Sequence, residues 1–268
     1  MTADTRLPRA LRPFALRRYR WLAAGLALAL FGDGVWLVAV VWQVIGLGGG
    51  PGRVSMVSGI AAVGMVVSTL AGGVLADRVQ QRAIMIGLEL TKLIAFGSVG
   101  IASTAGVLTY WHLAIAALLG GITTGMYYPA YSALLPRVID AAQLQAANGI
   151  EGFLRPVIYQ AGGPMLAGLI IGAVSPGAAI VVAAVASAGS GLCYAVMGHV
   201  PMDTTPDDGA QHRKATGSIL SDLAEGFSYM RRTPWVWATL YFSCLLVLMI
   251  MGPIEVLIPF ALKDRAGG

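Results

Sequence analysis

Seven apolar stretches, each long enough to cross a lipid bilayer, follow one another from Trp21 to Leu262. They run near 21–46, 55–76, 83–105, 110–135, 152–174, 177–199 and 235–262. A spanning helix needs roughly 20 apolar residues at about 1.5 Å rise each. In lipid every backbone polar group must be bonded internally, which leaves helices and closed barrels. No stretch shows the alternating pattern of a barrel strand. The chain is therefore expected to be an all-α membrane protein. Only 12% of its residues are charged, about half the share of a soluble domain.

The basic residues sort to alternate sides of these spans. Arg6, Arg9, Arg12, Arg17, Arg18 and Arg20 precede the first. Arg78 and Arg82, then Arg137, then Arg213, Lys214, Arg231 and Arg232 occupy every second connection. The other side holds Arg53, with Lys263 and Arg265 after the seventh span. Lys and Arg are retained on the cytoplasmic side, so the amino terminus is expected there, in a multi-pass protein of the cell inner (plasma) membrane. The net charge of +5 is then a topology signal, and nucleic acid is not implied. Four regions follow: a basic cytoplasmic arm (1–20), a six-helix bundle (21–199), a cytoplasmic linker (200–234) and a seventh span with its end (235–268). Within the linker, Ile219, Leu220, Leu223, Phe227 and Met230 share one helical face, as in a helix lying on the membrane surface. A second amphipathic stretch, Ile139 to Gly149, is expected to join the fourth and fifth spans.

Enzymatic and cofactor-dependent classes find no support. There is no phosphate-cradling G-x-x-x-x-G-K-[ST] loop and no Ser/His/Asp set. His112, His199 and His212 have no metal-ligand spacing, and Cys193 and Cys244 sit inside separate spans as small hydrophobes. No catalytic residue, metal or cofactor is expected. Small-residue pairs at i, i+4 (Ser68 and Gly72, Gly121 and Gly125, Gly168 and Gly172) are candidates for tight helix crossings.

Gly73, Leu75, Asp77, Arg78 and Arg82, in the connection after the second span, match the signature loop of the major facilitator superfamily; Gln80 and Gln81 depart from it. Tyr128-Pro129-Ala130-Tyr131 through Pro136 is similar to the end of the fourth span in its multidrug and siderophore exporter branch. Gly163-Pro164 with Gly168 resembles the antiporter motif of the fifth span, with Ala167 replacing a Gly. The segment Glu225 to Trp235 resembles the approach to the seventh span. The resemblance implies the six-span amino-terminal half of a major facilitator bundle, built as three-plus-three inverted repeats, plus one further span. It also implies a chain truncated after that span, with a missing carboxyl-terminal half as partner.

Charged residues inside spans are functional candidates by default. Asp33, midway along the first span between Gly32 and Gly34, has two readings: a proton-coupling carboxylate, or a structural hydrogen-bond acceptor. Glu89 and Lys92, three apart on one face, read as a mutual ion pair or as part of a gate with the Asp77 loop. Arg155 reads as a snorkelling side chain, or as a partner of Glu89 or of an anionic substrate group. Glu255, between Pro253 and Pro259, suggests a broken helix. Glu89, Lys92, Arg155 and Glu255 together form a candidate charge network. Trp21, Tyr110 and Trp111 fit the interfacial belt, while Tyr127, Tyr128 and Tyr131 are candidates for a substrate cavity or for core packing. What the resemblance implies is secondary transport: proton-coupled export of a small hydrophobic or amphiphilic molecule by alternating access, with Gly73, Asp77, Arg78 and Arg82 as a conformational latch. The alternative is a non-transporting membrane fragment or a helix-bundle partner.

Overall fold

The computed structural model describes residues 8–198, 228, 231–251, 253, 254 and 257; the side chains at 9, 10, 71 and 73–78 are outside that description. Glu255 and most of the linker helix expected over 218–232 also lie outside the described residues. Among the described residues there is no β-strand, and seven helices are long and apolar enough to cross a membrane.

A short 3-10 helix, Arg9–Ala15, leads into α1, Arg17–Gly46. Then come α2 (Pro51–Arg78), α3 (Gln81–Thr104) and α4 (Tyr110–Val138). The fifth span is a composite of α5 (Ala141–Leu154), a π-helical stretch (Arg155–Gly162) and α6 (Gly163–Ala173). The sixth is α7, Pro176–Val196. In a second compact unit, Met202–Gly268, α8 (Pro234–Leu246) continues as a π-helical turn, Val247–Met251.

The connections are short and specified locally. Gly48, Gly106 and Gly198 follow α1, α3 and α7 with φ of 78°, 72° and 87°, the left-handed geometry that ends a helix at glycine. Thr109 and Ser175 cap the next helices by accepting from the amides of His112 and Ala178. Arg17, Arg18 and Arg20 form the first turn of α1, so that helix begins within the stretch 1–20. The stretch Ile139 to Gly149 joins the two spans as expected, and it does so as a helix: α4 runs on to Val138, and α5 begins at Ala141 and continues into the fifth span.

In space the helices neighbour one another in the order α2, α4, α3, α7, α1, α6. Exchanging the first three spans with the second three maps each of these neighbour relations onto another. The pairing of α2 with α4 becomes that of the fifth span with α1, α1 with α7 becomes α4 with α3, and α3 with α7 maps onto itself. That is the pattern of two inverted three-helix repeats.

Lipid supplies little hydrophobic drive between helices, so close packing of small residues carries association. Gly121 and Gly125 of α4 lie directly on the α2 backbone at Ala61 and Met65. Gly168 and Gly172 have open space where a side chain would stand, so that pair makes no tight crossing among the described residues. At the end of the bundle where α1 and α3 begin and α7 finishes, Tyr19, Leu22, Leu26, Met85, Tyr131, Leu134, Ala147 and Tyr194 form a continuous core.

Candidate functional site

Asp33 is brought into the bundle by its two glycine neighbours. A Cβ on Gly32 would stand 3.1 Å from the carbonyl of Ala183 on α7, and one on Gly34 would stand 2.6 Å from the carbonyl of Tyr159 in the π-helical stretch. Only glycine lets α1 approach both elements at this height. One turn further on, Trp36 stacks on Phe96 of α3, with ring centroids 4.0 Å apart and planes at 7°.

With α1 and α3 so aligned, Lys92 reaches Asp33. Its Nζ donates to Oδ1 at 3.1 Å and Oδ2 at 3.3 Å. The same nitrogen stands 2.9 Å from Oε1 of Glu89. The side chains of Lys92 and Glu89 are 3% and 0% exposed, against 24% for Asp33. Glu89 and Lys92 thus form the close pair read from their spacing, but Lys92 also has a partner 59 positions away that spacing does not reveal. Next to Glu89, the fully buried Ser187 of α7 has a hydroxyl without a hydrogen-bond partner. Two carboxylates and one ammonium, enclosed by three helices, can bind and release a cation or a proton with a change in local charge.

The other candidates distribute elsewhere. Tyr127 stacks on Tyr131 and shares a hydroxyl–hydroxyl hydrogen bond of 2.9 Å with Tyr194, while Tyr131 is buried in the core. Tyr128 is 61% exposed, so the three tyrosines do not line one wall. Arg155 pairs with Glu151, its neighbour one turn back, at 2.9 Å; it is not a partner of Glu89. Gly163 sits on the Gly34 backbone, with 2.8 Å from its Cβ position to the Gly34 Cα, and Pro164 touches the same point. Arg82 donates from Nε and Nη2 to the carbonyls of Tyr194 and Ala195 at the end of α7, at 2.8 and 2.6 Å. Gly73, Asp77 and Arg78 lie in the last turns of α2, and their side chains are outside the description.

Sequence reasoning missed Ser187, Tyr194 and Glu151. Only Glu151 carried a signal, its i, i+4 spacing to Arg155.

The family profile described as "Transmembrane secretion effector" matches residues 9–267. Macrolide efflux protein A of Streptococcus pyogenes is 24% identical over 251 residues, covering 91% of this chain and 58% of that protein. The protein of the same name from Enterococcus faecalis is 25% identical over 202 residues, covering 73% of this chain and 58% of that protein. The chain therefore spans less than two-thirds of the length of these curated relatives. No solved structure matches it significantly.

Proposed function

The chain belongs to the transmembrane secretion effector family of the major facilitator superfamily, and from that premise we propose that it works in proton-coupled export of small hydrophobic or amphiphilic molecules. The observation that carries this reading is the enclosed Asp33–Lys92–Glu89 cluster. A bilayer-buried cluster with an excess carboxylate is costly to keep unless its charge is used. The relatives named as macrolide efflux proteins support efflux as the direction of transport.

In this reading the six-span bundle rocks against a second half of the superfamily fold, which alternately opens the cluster to the two sides. Asp33, the most accessible member, meets protons from the cavity. The loop of Gly73, Asp77 and Arg78 with Arg82 latches one conformation. The amino terminus, the arm at 1–20 and the linker at 200–234 lie in the cytoplasm. Glu255 of the seventh span belongs to the pathway of the assembled transporter.

The test is export of a fluorescent lipophilic compound from vesicles under an imposed pH gradient, with the chain co-expressed with a second six-span half. Gradient-driven export that Asp33→Asn abolishes is the expected result. Unchanged gradient-driven export by Asp33→Asn would sink the proton role, and gradient-independent leakage would sink coupled export altogether.

A further inference from the structure

Fully ionised, the Asp33–Lys92–Glu89 cluster holds one negative charge more than Lys92 can neutralise. One proton removes the excess, and the two carboxylates are not equivalent hosts for it. Asp33 accepts from Lys92 through both oxygens and is partly exposed. Glu89 is wholly buried; Lys92 Nζ stands 2.9 Å from its Oε1 as an ion pair, and neither Oε1 nor Oε2 receives a hydrogen bond of good geometry. An ionised carboxylate in that condition is costly to keep.

The groups facing Glu89 complete the case. From α1 there is Asp33, and from α3 Lys92. Tyr194 of α7 and Tyr127 of α4 are near enough to couple to it electrostatically, and their hydroxyls bond each other. Ser187 of α7 faces it with a hydroxyl that has no other partner. A hydroxyl can donate to a carboxylate and, after turning about its C–O bond, accept from a carboxylic acid. Ser187 can therefore serve Glu89 in both protonation states.

We propose that Glu89 stores the proton and that Asp33 is only its point of arrival, a refinement that rests on the proton-coupled reading above. Lys92 Nζ lies within transfer distance of both acids. Lys92, an ammonium with no lone pair, gives first: an N–H bond breaks on Lys92 and an O–H bond forms on Glu89. The O–H bond of protonated Asp33 then breaks, and a new N–H bond forms on the neutral amine. Lys92 ends as an ammonium again, Asp33 returns to a carboxylate paired with it, and the net charge of the cluster is zero throughout. The new Glu89 hydroxyl donates to Ser187.

Infrared difference spectroscopy of the full chain in lipid nanodiscs, titrated from alkaline to acid pH, tests this. A protonated-carboxyl carbonyl band is expected to grow in. Carbon-13 at the side-chain carboxyl of glutamate should shift that band to lower frequency, and the same label in aspartate should leave it in place. Glu89→Gln should remove it, Glu151→Gln should not, and Ser187→Ala should raise its frequency by removing a hydrogen bond. A band that moves with the aspartate label, or that survives Glu89→Gln, overturns the proposal, and so does the lack of any such band. The labelled wild-type protein answers the question even if Glu89→Gln does not fold. The spectrum reads protonation without transport, so an aspartate band alongside intact gradient-driven export would overturn this inference and leave the proposed function standing. A glutamate band without coupled export would do the reverse.

Discussion

Arg82, in the first turn of α3, closes the far end of α7 by donating to the carbonyl oxygen of Ala195. Its Nε serves the preceding carbonyl, that of Tyr194, so one guanidinium satisfies two of the acceptors that a helix terminus leaves open. A cation at a helix carboxyl end contributes about 0.3–1 kcal/mol, and the planar fork is not reproduced by lysine. Arg82→Lys and Arg82→Gln are expected to loosen the last turn of α7. Hydrogen exchange at the amides of 194–198 should accelerate by up to roughly fivefold, with α1 unaffected. Unchanged exchange there would show that the contact contributes nothing.

Lys92 is expected to be far more sensitive than either acid alone. Lys92→Met leaves two carboxylates facing each other in the bundle, and breaking a buried pair in this way costs about 3–5 kcal/mol. The triple variant Asp33→Asn, Glu89→Gln, Lys92→Met removes all three charges and should recover most of that loss. Thermal unfolding in detergent, followed by tryptophan fluorescence, makes the comparison. A triple variant no more stable than Lys92→Met would contradict the charge argument.

The α1 crossing separates glycines that matter from glycines that do not. Gly34→Ala places a methyl group 2.6 Å from a backbone carbonyl that no rotamer can move, an overpacking expected to cost about 1–3 kcal/mol. Gly168→Ala meets open space and should be neutral or slightly stabilising. Equal melting temperatures for the two variants would rule out the tight crossing.

Topology is testable by single cysteines in a background lacking Cys193 and Cys244. Positions 50, 106 and 176 are expected to react with an impermeant thiol reagent added outside intact cells, and 82, 137 and 213 to be protected. The reverse pattern would invert the map and move the Asp77 loop to the outer surface.

The spans were legible because a bilayer imposes a length that sequence displays directly. The continuity of the fifth span was less so: Ile139 to Gly149 is polar enough to read as a connector, yet α5 continues directly into the π-helical stretch and packs against the amino-terminal 3-10 helix. Asp33 and Lys92 could each be singled out by charge, yet their contact depends on where α1 is held by the Gly32 and Gly34 approaches to α7 and the fifth span and by the Trp36–Phe96 stack on α3. No local period encodes that. The tyrosines Tyr127, Tyr128 and Tyr131 show the same limit, since neighbours in sequence point to different environments once the helix is placed. Glu151 and Arg155 are the opposite case, a pair whose spacing announced it.

The π-helical stretch in the fifth span has a consequence best expressed as phase. Ala147 and Ala167 are both completely buried. Twenty positions apart, they would stand roughly 200° apart around a regular α-helix, one of them turned to lipid. Between them the amide of Gly163 bonds to the carbonyl of Ile158, five residues back, and this wider winding takes up about one extra residue per turn. The lag cancels most of the offset and lets both alanines meet the bundle. What residues 155–162 contribute is therefore a count as much as a set of side chains: deleting one of them would rotate half the span out of step with the other, with Ala147 and Ala167 themselves unchanged.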